Sequence, residues 1–240
     1  MRLLKNPSVL PGFNLSLGLT VLCLSLLVVL PFAMMAAKAG EIGWAAFWQT
    51  IAEPNVLAAV WLSLRMSFYA MLTNIVFGTL VAWVLVRYEF PGKNLVNALV
   101  DLPFALPTAV TGIALATLYA PNGWLGRWFA PFDIKIAFTP IGIWIALVFV
   151  SLPFIVRAVQ PVLEELPAEY EEAAATLGAG RFTAMRRVLL PEIMPALLTG
   201  SGMMFARATG EYGSVIFIAG NIPMVSEILP LIITGKLEQF

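Results

Sequence analysis

Five apolar runs dominate this chain, at residues 15–36, 60–86, 99–119, 141–159 and 193–218. Each is close to the roughly 20 apolar residues that a helix needs to cross a hydrocarbon core about 30 Å thick. Once five such spans and their connectors are placed, 240 residues leave no room for a separate globular domain. The balance of residues agrees: 60% are hydrophobic and 12% charged, where soluble domains carry about 25% charge. The expected fold class is therefore an all-α membrane protein, a polytopic bundle of transmembrane helices forming one domain over 1–240.

The same composition excludes several chemistries. Cys23 is the only cysteine and sits in an apolar run, so no internal disulfide forms; with no histidine, the commonest metal ligand and general base is missing. Neither redox nor metal chemistry is suggested. Fourteen basic and fourteen acidic residues cancel, which gives no electrostatic sign of a nucleic-acid partner. There is also no Gly-x-x-x-x-Gly-Lys-Ser/Thr phosphate loop, so any ATP that drives this protein must be hydrolysed on another polypeptide.

The distribution of charge sets a topology. With the amino terminus inside, the cytoplasmic segments hold Arg2, Lys5, Arg87, Lys93, Arg157, Arg181, Arg186 and Arg187, and the opposite side only Lys38, Arg127, Lys135 and Lys236. The positive-inside rule favours that orientation. The first run, with Ala37, Lys38 and Ala39 after it, also imitates a signal peptide, but its apolar stretch exceeds the roughly 7–15 residues of such a segment. In the third run Asp101, Pro103, Pro107 and Gly112 oppose a continuous helix. Proline removes a backbone donor, and a break in hydrocarbon is tolerated where protein or a water-filled cavity surrounds it. Two readings stand there, a broken helix lining a path and a kink satisfied by neighbouring helices.

The longest cytoplasmic connector, about 160–191, carries Glu164, Glu165, Glu169, Glu171 and Glu172 and then Arg181, Arg186 and Arg187. It reads as two short helices. Pro167 suits a first helical position, acidic residues fill the first turns, and Ala173, Ala174 and Ala175 have the strongest helix propensity. Gly178 and Gly180 then stop the first helix; a second, from about Phe182 to Leu190, is expected to end at Pro191.

Glu172, Ala173, Ala174, Gly178, Val188, Leu190 and Pro191 stand at the spacing of the EAA motif, and here the chain resembles the permease subunits of ABC importers. Val188 occupies a position where isoleucine is usual. The resemblance implies the type I importer permease fold, with the first short helix docking in a groove on a separate ATPase subunit and transmitting its closure to the spans. The residues suit such contact: small alanines permit close approach, and glycine permits a tight turn. A helix lying on the membrane surface would instead be rich in basic residues with a broad apolar face.

A second stretch, Gly210, Glu211, Tyr212, Gly213, Ser214 and Val215 with Ala219, Gly220 and Asn221, is similar to the signature of sulfate and molybdate permeases. Residues 82–92 and 101–110 are similar to the sulfate/thiosulfate branch. This likeness implies a multi-pass protein of the bacterial inner membrane, moving sulfate or thiosulfate inward by alternating access. It further implies a second homologous permease subunit, two ATPase subunits carrying ATP and Mg, a periplasmic sulfate-binding protein and the lipid bilayer as partners, with no cofactor in this chain. A molybdate or tungstate permease is the nearest alternative. An ATPase-independent secondary anion transporter is a second, and a membrane-embedded enzyme would need a catalytic constellation absent from the sequence.

Arg207, Glu211, Tyr212 and Arg65 are the candidates for the substrate path or for an ion pair, because ionisable groups within spans are costly enough to be functional by default. Arg207 and Glu211 share a face if the fifth run is helical to its end, and so either pair with each other or meet the anion. Arg65 sits toward the outer end of its span, where it can snorkel to the interface. Glycines 210 and 213 can instead serve close helix packing. The resemblance implies one further span, but residues 226–240 are too short and polar to supply it, so five spans and an external carboxyl terminus are expected.

Overall fold

A computed structural model describes residues 12–167 and 169–238 of the chain. Arg2 and Lys5 lie outside the described residues. Two units are distinguished, one ending at Glu53 and one beginning at Pro54. The first holds α1, Phe13–Glu41, and the short aromatic helix α2, Trp44–Ile51. Helix α1 is apolar on every side through residues 21–36, as a lipid-facing span is, and runs unbroken past the Ala37–Ala39 triplet.

The second unit contains α3, Pro54–Arg87; α4, Lys93–Ala105; α5, Thr108–Tyr119; α6, Pro140–Glu165; α7, Glu169–Thr176; α8, Phe182–Thr209; α9, Val215–Ile218; and α10, Leu229–Leu237. Helices α3, α6 and α8 pack mutually and make its centre. The face that α3 buries consists largely of small or polar residues, Ala59, Ser63, Ser67, Ala70, Asn74, Gly78 and Ala82, at helical spacing. Its outward face carries Trp61, Phe68, Val76 and Phe77. This inversion follows from the solvent: lipid tails are as apolar as leucine, so helices associate through close backbone approach and interhelical hydrogen bonds. A Cβ at Gly78 would fall 2.9 Å from the Ile155 side chain, and one at Gly200 would fall 2.7 Å from Ala158. Asn74, fully buried, donates to the Val148 carbonyl at 2.9 Å and to the Met204 sulfur at 3.7 Å, which joins α3, α6 and α8.

The interruption expected in the third run is present: α4 and α5 meet at 112° across Leu106 and Pro107. Leu106 precedes a proline and is driven to extended backbone (ψ 138°), and Pro107 is extended as well (ψ 132°), so the chain turns where a helix would continue. Two sequence expectations are corrected: the fifth run is not one helix to Ile218, because α8 ends at Thr209 and Val215–Ile218 form a separate short helix. Pro191 does not end a helix; it lies inside α8, directly after a π-helical segment at Met185–Leu189. The wider π turn absorbs the carbonyl that proline's ring excludes and its missing N–H leaves unbonded. Helix α1 repeats the arrangement, with a π segment at Ser25–Val29 just before Pro31.

Candidate functional site

The connector between α6 and α8 is ordered around α7, which begins at Glu169, so Pro167 precedes the helix rather than opening it. Leu166 is extended because Pro167 follows it. Glu169, Glu171 and Glu172 lie in the first turn, where the helix dipole favours negative charge. The helix closes on Gly178 at φ +80°: the Gly178 amide donates to Ala175 O at 3.0 Å and the Ala179 amide to Ala174 O at 2.9 Å. These paired bonds make a left-handed C-cap. Nothing lies within 4 Å of where a Gly178 side chain would begin, so backbone conformation and not crowding calls for glycine.

Of the motif residues, Glu172, Ala173, Gly178 and Pro191 are exposed, Val188 and Leu190 are half-buried, and Ala174 is turned into the protein. The exposed residues of α7 are therefore Glu169, Tyr170, Glu172, Ala173, Ala175 and Thr176, and Ala174 is not among them. Beside them Leu177 is 88% exposed and Phe182 77%, two large apolar side chains on an otherwise polar segment. Their signal in the sequence was their isolation in a charged loop. A surface of small residues with two protruding apolar ones fits a groove on another protein better than water.

Two polar clusters lie at this end of the molecule. Arg87, the last residue of α3, donates from Nε to Glu171 at 2.8 Å and from Nη2 to the Leu166 carbonyl at 3.2 Å. Arg157 on α6 grips Asp101 on α4 bidentately, at 2.8 and 2.6 Å, and also donates to the side chain and carbonyl of Asn97 and to Gln160. Arg87 and Arg157 entered the sequence reading only as inside charges. Their partners are 84 and 56 residues away, beyond the reach of local spacing.

Of the remaining candidates, Arg207, Glu211 and Tyr212 lie where two helix interruptions meet. Past the end of α8, residues 210–214 run back against the start of α5. A Cβ at Gly112 would overlap the Ser214 carbonyl, and one at Gly213 would overlap the Thr108 hydroxyl. The two breaks thus pack against each other at Gly112–Ser214 and Gly213–Thr108, giving part of this non-helical backbone protein neighbours, the condition under which such breaks persist in a membrane. Glu211, 2% exposed, is held there: Oε2 lies 2.5 Å from Arg207 Nη1, and Oε1 accepts the amide and the hydroxyl of Ser214, both at 2.9 Å. Arg207 reaches its partner from the last turn of α8, where a cation suits the dipole, although Glu211 is no longer on the helix. Tyr212 is half-buried against the core. Arg65 joins neither cluster; it is exposed on α3, with its guanidinium over the Tyr69 ring at 5.6 Å. Thr111, one turn into α5, buries its hydroxyl without a partner, a feature with no local sequence signature.

Comparison with known proteins adds a family to this geometry. The family described as binding-protein-dependent transport system inner membrane component matches residues 74–239. The chain is 51% identical over 232 residues to the sulfate transport system permease protein CysT of Escherichia coli (strain K12), covering 97% of this chain and 84% of that one. To the protein of the same name in Salmonella typhimurium it is 49% identical over 240 residues, covering 100% and 87%, and to that of Synechocystis sp. 51% over 221 residues, covering 92% and 77%. Among solved structures, a bacterial ABC transporter involved in the import of the acidic polysaccharide alginate matches with a TM-score of 0.74 over 95% of this chain and 85% of the other, at 16% identity. At that identity the likeness is one of fold.

Proposed function

Because this chain belongs to the family of binding-protein-dependent transport system inner membrane components, we infer that it is the channel-forming permease subunit of an ATP-driven importer that carries sulfate inward across the inner membrane. The observation that carries this is the identity of about half to sulfate permeases over nearly the whole chain, both helix interruptions included. The chain is a transport subunit, and ATP is hydrolysed on a separate ATPase.

The finer assembly follows the same reading. This subunit pairs with a second, related permease, two ATPase subunits bind ATP and Mg beneath them, and a periplasmic sulfate-binding protein delivers the anion from outside. The amino terminus is cytoplasmic. Helix α7 docks on an ATPase through Glu172 and Ala173, with Gly178 shaping its end and Val188, Leu190 and Pro191 setting the start of α8 beside it. ATP-driven closure moves this segment, and the bundle alternates between outward and inward openings. The paired breaks around Glu211 and Thr108 supply non-helical backbone of the kind that transporters use to line a path. Arg207 and Glu211 neutralise one another there, which favours a role in holding the 210–214 loop over direct binding of the anion.

The test is uptake of radiolabelled sulfate in cells lacking their own sulfate permeases, expressing this chain with its cognate partners. Uptake that requires the ATPase and is competed by thiosulfate is expected. Uptake competed instead by molybdate would transfer the assignment to that oxyanion, and uptake without the ATPase would make the protein a secondary transporter.

A further inference from the structure

Arg87 occupies a place that no part of the EAA pattern includes. It ends α3, yet its two donors reach two other elements: Glu171 in the first turn of α7, and the carbonyl of Leu166, the C-cap of α6. That carbonyl is among those a helix end leaves without an internal partner. The guanidinium is a rigid fork and can hold both acceptors at once, which a lysine ammonium on a flexible stem does far less well. Charge placement agrees with the dipoles, cation at the end of α3 and carboxylate at the start of α7. The arginine and glutamate side chains are 18% and 32% exposed, so water screens this pair less than an ordinary surface pair.

What lies beside the pair gives it importance. Trp83, Arg87 and Tyr88 on one side and Glu171, Ala175 and Met185 on the other line a cavity of about 340 Å³. The end of α3 is therefore not packed tightly against α7 by apolar side chains. Among the described residues, Arg87–Glu171 is the only side-chain hydrogen bond from α7 to another helix. A push on α7 unconnected to α3 would be taken up by the cavity.

We propose that Arg87 is a positioning residue for energy coupling, the strut that delivers displacement of α7 to α3 and to the end of α6 together. This rests on α7 being the ATPase-docking helix. The strut explains how a short helix touching an ATPase can move a span of 34 residues that lies at the centre of the bundle: force passes through one partly buried ion pair onto the end of the longest rigid element.

The experiment uses the whole complex in proteoliposomes with its binding protein, and reads sulfate taken up per ATP hydrolysed. Arg87→Gln and Glu171→Gln are each expected to lower that ratio at least fivefold while the ATPase still co-purifies. Arg87→Lys, which keeps the charge and loses the fork, falls between wild type and Arg87→Gln. A merely structural residue would change yield and leave the ratio alone. A wild-type ratio in both single variants overturns the strut. Should Arg87→Gln not assemble, Glu171→Gln carries the test, since it leaves the Leu166 bond in place. A parallel Ala173→Cys variant in a Cys23→Ser background separates the two readings. No cross-link to the ATPase removes docking and the strut with it; a cross-link beside a wild-type ratio in both single variants removes the strut alone.

Discussion

Arg207 and Glu211 form an asymmetric pair: the guanidinium is 38% exposed, whereas the carboxylate 2.5 Å away is 2% exposed and is bound at its other oxygen by Ser214. The two partners therefore differ in what their loss leaves behind. Arg207→Gln leaves a buried carboxylate uncompensated, and Glu211→Gln leaves a half-exposed cation with an amide oxygen still available to Ser214. Breaking a buried pair costs about 3–5 kcal/mol, reduced here to on the order of 2 kcal/mol by the arginine's exposure. The expected order of complex yield is wild type, then Glu211→Gln, then Arg207→Gln, with the double variant above Arg207→Gln. Yield in detergent beside sulfate uptake decides it. Normal assembly of Arg207→Gln with uptake abolished, and no rescue in the double variant, would instead place the arginine on the anion.

The contact between the two helix breaks makes a steric prediction. Gly112→Ala and Gly213→Ala each insert a methyl group where the Ser214 carbonyl and the Thr108 side chain stand, so both should lower assembled complex and thermal stability, by on the order of 1–3 kcal/mol for overpacking. Gly210→Ala is the control, since its nearest neighbour would be the Ala206 carbonyl at 3.8 Å. Equal melting temperatures for all three would show that the breaks do not pack as described.

The spans were legible because apolar length is a local property, and the α7 cap because glycine at a helix end has a local cause. The pairs Arg87–Glu171 and Arg157–Asp101 were not, since each joins residues more than 50 positions apart and every member is an unremarkable interfacial charge by itself. Hydropathy also overran the fifth helix: Gly210 to Gly213 interrupt it, but Val215 to Ile218 are as apolar as a continuing span. At Pro191 the sequence offered a helix breaker, and only the π turn before it reveals how the helix continues. Spacing gives a helix's stripes without saying which one faces inward, so the sequence does not distinguish buried Ala174 from exposed Ala173.

Topology gives a third prediction, drawn from the asymmetry of Arg and Lys between the two sides. In a Cys23→Ser background, a cysteine at position 181 should react with a membrane-impermeant maleimide only after the cells are opened. One at position 135, in the loop between α5 and α6, should react in intact cells. Labelling at 181 from outside would invert the orientation and remove α7 from any cytoplasmic ATPase.

Gly178 allows the proposed docking of α7 to be tested without touching the exposed face of that helix. Its φ of +80° carries a penalty of roughly 1–2 kcal/mol for a residue with a Cβ, least for asparagine, while the surrounding space is open. Substitutions should therefore rank by backbone preference and not by volume: Gly178→Asn close to wild type, Gly178→Ala weaker, Gly178→Val weakest, because a β-branched residue tolerates that conformation poorly. The readout is sulfate moved per ATP hydrolysed in vesicles, with membrane insertion unchanged across the series. Glu172→Lys, which places a cation in the first turn of α7 and on its exposed face, should lower the same ratio without altering the cap. A series ordered by size, with alanine better than asparagine, would mean that an ATPase surface closes over Gly178 in the assembled complex; the demand for glycine would then come from the partner and not from the turn.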